Sequence, residues 1–257
     1  MSHLPTAPAH APARDVTALH SPSAPSTQPA QNEASAEAPV RSGPQAKVCT
    51  PRHLAIVPEG VAATRAAAMA WLDALDAVID GCDRSGVEQL SVFVCGQDWA
   101  ASETLLREIR AWLCGHAAAL ARNGIVCGVI GEPDLATREA LRFADRAARE
   151  NPASQRLRVN LAIGYDGRSE LAAAARSLAL KSGDLKQHLS TAALPDVDLL
   201  IRTGNETRLS HFLLWQTAYA ELLFVKTAWP EFTREPLAQA LMDFAQRRRT
   251  FGGLSKK

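Results

Sequence analysis

The chain has 257 residues, 47% of them hydrophobic, and a formal net charge of +1. That apolar content suffices for a sizeable core, and the near-neutral balance excludes a global field for nucleic acid or a membrane surface. Any anion recognition must therefore be local.

Five cysteines (Cys49, Cys82, Cys95, Cys114 and Cys127) are widely spaced and form no Cys-x-x-Cys pair. Free thiols fit this pattern better than a disulfide framework or a zinc site. No apolar run reaches the roughly 18 residues of a membrane span. The N-terminus lacks the apolar core of a signal peptide, so a cytoplasmic protein is expected.

Residues 1–50 are rich in Pro, Ala and Ser and contain no Phe, Tyr or Trp. Such a segment cannot bury enough apolar area to offset its ordering entropy, and a disordered tail is expected. The folded domain is expected over 51–257. From His53 the pattern alternates. "HLAIV" (53–57) reads as a buried strand, and 64–86 has a helical period that ends in a Gly region. "QLSVFVC" (89–95) reads as a strand, 102–124 as a helix with Ser102 as N-cap, and "IVCGVIG" (125–131) as a strand. A helix over 135–151, a strand over 156–165 and a helix over 169–183 follow, with a further helix proposed at 184–192. "VDLLIRT" (197–203) reads as the fifth strand. An apolar helix over 209–222, a final strand at 222–226 and a closing helix at 235–250 complete the pattern. Strands alternating with helices predict an α/β fold with a central, mostly parallel six-stranded sheet flanked by helices. Ligands of such sheets bind outside the carboxyl ends of the strands.

Two segments fall at those ends: "PEG" (58–60) and "RTGNETRLS" (202–210). Arg202 and Arg208 supply planar, permanently charged forks suited to phosphate oxygens. Gly204 and Asn205 permit a tight turn with positive φ. Ser210 is read at a helix start, where free N–H groups favour an anion. Together they make a diphosphate cradle; the alternative is a solvated loop with Arg202 paired to Glu206.

The stretch from Pro195 to Phe232 resembles the C-terminal signature of the cis-prenyltransferases, the undecaprenyl diphosphate synthase family. Asp198, Arg202, Thr203, Glu206, Arg208, Ser210, Phe212, Trp215, Gln216, Tyr219, Glu221, Trp229, Pro230 and Phe232 carry the match. "VNLAIGYDGRSEL" is similar to a second family stretch through Asn160, Tyr165, Gly167 and Arg168, and "RRRTFGG" resembles the family's closing end. The resemblance covers about residues 50–253. It implies that Arg202, Arg208 and Ser210 hold the diphosphate of isopentenyl diphosphate. It also implies that Glu221 helps to hold Mg2+, a hard cation that takes oxygen ligands. His53, Ala55, Ile56 and Gly60 match the family's first motif, with Glu59 in the place of its essential aspartate. Glu59 is thus expected as both catalytic and metal-binding, and Gly60 and Arg65 as allylic-diphosphate contacts. The resemblance further implies a dimer, homomeric or with another family member.

Departures concentrate in the first half. Val61, Ala63 and Thr64 replace the family's asparagine, arginine and tryptophan. Gln97 and Asp98, before Trp99, replace a glutamate and an asparagine that assists proton removal, which makes Asp98 a candidate base. Glu in place of Asp extends the reach at 59 by about 1.5 Å, enough to matter where geometry decides rate. The implied function is a Mg2+-dependent prenyltransferase acting on short prenyl diphosphates in a non-standard condensation, acceptor prenylation or cyclisation. Helices 64–80 and 103–121 would wall its prenyl tunnel. The alternatives are a non-catalytic partner subunit of a heterodimer and an ordinary polyprenyl diphosphate synthase.

Overall fold

Five short apolar runs and one mixed strand, none longer than seven residues, form a single six-stranded sheet. The computed structural model describes residues 49–60, 62–97, 102–150 and 153–250, all within one unit, Gln45–Lys257. Residues 1–48 of the tail expected over 1–50, Asp98, Trp99 and the closing "FGG" lie outside the described residues.

In chain order the elements are β1 (His53–Val57), α1 (Arg65–Ser85), β2 (Gln89–Cys95), α2 (Glu103–Arg122), β3 (Ile125–Gly131) and α3 (Leu135–Glu150). Then come β4 (Leu157–Ile163), α4 (Gly167–Leu180), β5 (Leu199–Arg202), β6 (Glu221–Phe224) and α5 (Arg234–Gln246). Short 3-10 turns occupy Leu185–His188 and Trp229–Glu231. The strand order is β3-β4-β2-β1-β5-β6, and every neighbouring pair is parallel. β1 and β5 are buried along their whole length because both faces of the sheet are covered, which is why they read as unbroken apolar runs.

Helix α1 starts where Thr64, extended, accepts a hydrogen bond from the Ala67 N–H (3.2 Å). It stops at Gly86, whose φ of 77° is a left-handed cap. Its buried stripe, Trp71, Leu72, Leu75, Val78 and Ile79, joins α2, α5 and Trp229 in the larger core on one face of the sheet. Trp71 and Trp229 meet there at 5.4 Å between centroids. The other face holds a smaller core of Ala55, Val57, Tyr165, Leu200, Phe212 and Leu213. α3 packs on α2 through Ala117, Ala144 and Ala147. All five cysteines are free, as expected.

One expected helix is absent. Residues 210–219 form a run of turns, and β6 begins at Glu221, inside the span read as helical. Ser210, His211 and Leu213 have φ of 52°, 55° and 45°, which no right-handed helix contains. Carbonyls that a helix would use internally are taken by tertiary donors: His211 O accepts from Gly167 N (3.0 Å) and Gln216 O from Val197 N (2.8 Å). The apolar period of the segment reflects burial of Phe212 and Leu213 against the smaller core instead. The proposed helix at 184–192 shrinks to its 3-10 turn, and α5 ends at Gln246 rather than 250. Ser102 does stand at the N-cap of α2, but its side chain makes no capping hydrogen bond.

Candidate active site

The parallel register sets Val57, the last residue of β1, beside Arg202, the last residue of β5. The two candidate segments therefore meet at one carboxyl edge. Arg202 is 6% exposed. Its Nη1 donates to Pro58 O (2.8 Å) and Val57 O (3.2 Å), so it ties the loop after β1 to the end of β5. Its Nε has no partner and is buried. Burial lowers the Arg202 pKa from its ordinary value, and the group remains a cation. A buried, unpaired N–H costs free energy until an acceptor arrives, so this atom marks a place built for one.

Glu59 is clamped from the far side. Its Oε1 accepts from the Trp229 backbone N–H (2.7 Å), and its Oε2 accepts from the Thr203 hydroxyl. Its Cγ and Cδ lie over Gly204 so closely that a Cβ there would overlap them. Gly204 and Asn205 turn with φ of 72° and 59°, as their sequence suggested, and Gly60 has φ 71°. Their N–H groups bond back to Thr227 O and Val225 O (both 2.9 Å), fixing the turn beside the stretch that leads to Trp229.

Arg208 is mostly exposed and pairs with Glu206. Glu206 is thus the partner of Arg208, not of Arg202. Ser210 does not stand at a helix start: it sits in the left-handed turns, and the helix-dipole contribution expected of it is absent. Arg65, at the first position of α1, has a side chain 75% exposed and pairs with Glu108 (3.4 Å).

Glu221 stands elsewhere. It opens β6 opposite Leu199, three residues before the Arg202–Phe224 pair. At a strand rise of about 3.3 Å per residue, that puts it roughly 10 Å down the sheet from the Arg202 edge. There its carboxylate pairs with Arg247 Nη1 (3.3 Å). Within one chain, Glu59 and Glu221 do not meet. Among the described residues no group of three His, Cys, Asp or Glu side chains is placed to hold a metal ion. The inward faces of α1 and α2, expected to wall a tunnel, pack into the larger core, and Trp112 Nε1 on α2 donates to Asp76 Oδ1 on α1 (2.9 Å).

Comparison with known proteins decides the family. The Prenyltransf family model, described as undecaprenyl diphosphate synthase, matches residues 62–252. The chain belongs to the cis-prenyltransferase family. A curated relative, isoprenyl transferase 2 of Bradyrhizobium diazoefficiens, is 34% identical over 249 residues, covering 87% of this chain and 98% of that one. A ditrans,polycis-undecaprenyl-diphosphate synthase ((2E,6E)-farnesyl-diphosphate specific) of Pseudomonas putida is 36% identical, covering 84% and 96%. Among solved structures, lavandulyl diphosphate synthase from Lavandula x intermedia, in complex with dimethylallyl diphosphate, superposes with a TM-score of 0.71 at 25% identity, covering 79% of this chain and 98% of that one. A probable undecaprenyl diphosphate synthase from Campylobacter jejuni gives a TM-score of 0.65 at 27% identity, with the same coverage. The chain is thus a prenyl-transferring enzyme by family, on the family's all-parallel sheet.

For this cis-prenyltransferase the structure adds the residues that hold Glu59: Thr203 and Trp229, which the sequence reading matched but gave no role, and Gly204, which it read only as a turn. Thr203 was traceable as the residue after the strand-end arginine. Trp229 was not, because it contributes a backbone N–H from 170 residues away.

Proposed function

We propose that this chain is a Mg2+-dependent prenyltransferase acting on short prenyl diphosphates, in a condensation, acceptor prenylation or cyclisation that departs from long-chain elongation. The observation that carries this reading is the asymmetry of the carboxyl edge. The β5 side offers buried Arg202 with its free Nε, whereas Arg65, the cation at the start of α1, is exposed and paired with Glu108.

In this reading Arg202, Arg208 and Ser210 hold an isopentenyl-type diphosphate. Gly60, the start of α1 and Arg65 take a second, more weakly gripped allylic diphosphate. Glu59 supplies the carboxylate for Mg2+. Its donor set fits a cation that binds through one or two carboxylates plus substrate phosphates, because each Glu59 oxygen keeps a lone pair beyond its one hydrogen bond. When bound, the ion neutralises charge on the departing diphosphate. Arg202 does the same from the protein side, preorganised by the Val57 and Pro58 carbonyls. Asp98 is proposed as the base that removes a proton. Support for short substrates comes from the structural neighbour solved with dimethylallyl diphosphate. We also propose a cytoplasmic homodimer; among the described residues no helix is long and apolar enough to cross a membrane.

The names of the curated relatives favour a second reading, ordinary undecaprenyl-type synthesis. One experiment separates them. Purified protein with Mg2+ is given C5 to C15 prenyl diphosphates, with and without isopentenyl diphosphate, and diphosphate release and product length are measured. Short products support the proposal, and long polyprenyl products support ordinary synthesis. Turnover that appears only on mixing with another family member identifies a partner subunit, and no turnover under any condition sinks both catalytic readings.

A further inference from the structure

We propose that Glu170, which touches none of the diphosphate-binding side chains, is the positioning residue that fixes the irregular 209–216 segment and with it the Arg208–Ser210 side of the site. The proposal deepens the diphosphate reading above and rests on it.

Glu170 lies in the first turn of α4. Its carboxylate accepts four hydrogen bonds. Tyr165 Oη donates to Oε2 (2.6 Å), while Ser190 Oγ (2.5 Å), Thr191 N (2.9 Å) and Thr191 Oγ1 (2.8 Å) donate to Oε1. Three links run from this hub and its helix start onto the segment. Thr191, 2% exposed, accepts in turn from Gln216 Nε2, and Gln216 is equally buried. The Tyr165 ring, held by its hydroxyl, meets Phe212 edge-on at 5.8 Å and 89°. Gly167 N, at the start of α4, donates to His211 O (3.0 Å), and a Cβ at Gly167 would overlap that carbonyl.

The links thus reach positions 211, 212 and 216, around the left-handed residues Ser210, His211 and Leu213. A run of left-handed non-glycine residues is strained and has no helical ladder of its own. Outside contacts must hold it. An ionised carboxylate suits the hub because it accepts on both oxygens and donates nothing. Burial pushes the Tyr165 hydroxyl well above its ordinary pKa, which keeps it a donor. A glutamine at 170 would present an NH2 to at least one of these donors, a mismatch in a half-buried network.

The test uses the full chain with Glu170→Gln, Glu170→Asp and Thr191→Val. Amide hydrogen exchange is followed over 209–216, with β1 and β5 as internal references, and affinity for inorganic diphosphate is measured by calorimetry. In Glu170→Gln, exchange over 209–216 should rise while β1 and β5 keep wild-type rates, and diphosphate affinity should fall about tenfold. Thr191→Val, which removes one donor, should give part of the shift, and Glu170→Asp should recover part of it. Unchanged exchange over 209–216 overturns the clamp. Faster exchange with unchanged affinity overturns the positioning role. Loss in β1 and β5 alongside 209–216 reduces Glu170 to a general stabiliser and also overturns it. If Arg208→Ala binds diphosphate as well as wild type does, the diphosphate assignment fails, and the exchange data still judge the clamp separately.

Discussion

Glu59 shows what a single methylene does at a strand end. Its chain is long enough to reach across to Thr203 and the Trp229 N–H, and it does so by lying on Gly204. Glu59→Asp should lose one or both anchors and lower kcat/KM about tenfold or more, while Glu59→Gln, which removes the charge, should cost at least about 100-fold. Diphosphate release under saturating Mg2+ measures both. Gly204 is the counterpart: with φ 72° and Glu59 overhead, it has room for no Cβ. Gly204→Ala should therefore displace Glu59, losing activity with it, and cost about 1–3 kcal/mol in urea unfolding. A stable, fully active Gly204→Ala protein would show that Glu59 is not held as described.

At the scale of elements, one buried polar residue joins segments far apart in the chain. His53, at the start of β1, bonds Pro195 O through Nδ1 and Ser91 Oγ through Nε2, both at 2.8 Å. Burial lowers its pKa from 6.5, more than the Pro195 carbonyl and the charges of Asp198 and Asp196 raise it. Above about pH 6.5 the ring is neutral in both folded and unfolded chains and costs nothing; below that, the unfolded chain takes up the proton more readily than the folded one. Stability should therefore fall as pH drops from 6.5 toward 5, by up to about 1.4 kcal/mol per pH unit from this residue. The Tm of the wild type should decline more steeply over that range than that of His53→Asn. The turn segment gives the second test. His211 is exposed and left-handed at φ 55°, so His211→Gly should relieve strain and raise stability by about 0.5–1 kcal/mol in urea unfolding.

At the scale of the molecule, the sheet order puts β1 beside β5, pairing Leu54 with Leu199 across 145 residues of chain, and the carboxyl edge is made by that adjacency. The same sheet sends Glu221 to the opposite end of β6. If Glu59 and Glu221 serve one Mg2+, they come from two chains. In a homodimer, Glu59→Gln and Glu221→Gln variants should each be inactive alone and should recover about a quarter of wild-type activity when mixed and re-equilibrated, since half the dimers then carry one intact pair. Absence of recovery, with exchange of chains verified, would assign the two carboxylates separate roles.

The alternation of apolar strands and helices was enough to specify an α/β sheet, and the spacing of Arg202, Arg208 and Ser210 with Glu59 and Gly60 was enough to mark its carboxyl edge, because both depend on local periodicity and on chemistry carried by residue type. Gly86, Gly204 and Asn205 were legible for the same reason: helix ends at glycine and positive-φ turns are properties of single residues, whereas the Thr64 cap was not read. The segment 209–219 was misread because apolar spacing cannot tell a helix from turns whose carbonyls have been claimed by Gly167 and Val197. Which donors hold Glu59, which residues converge on Glu170, and how far Glu221 stands from the edge are set by contacts between positions far apart in the chain. Those distances exist only once parallel pairing has fixed the order and register of the strands.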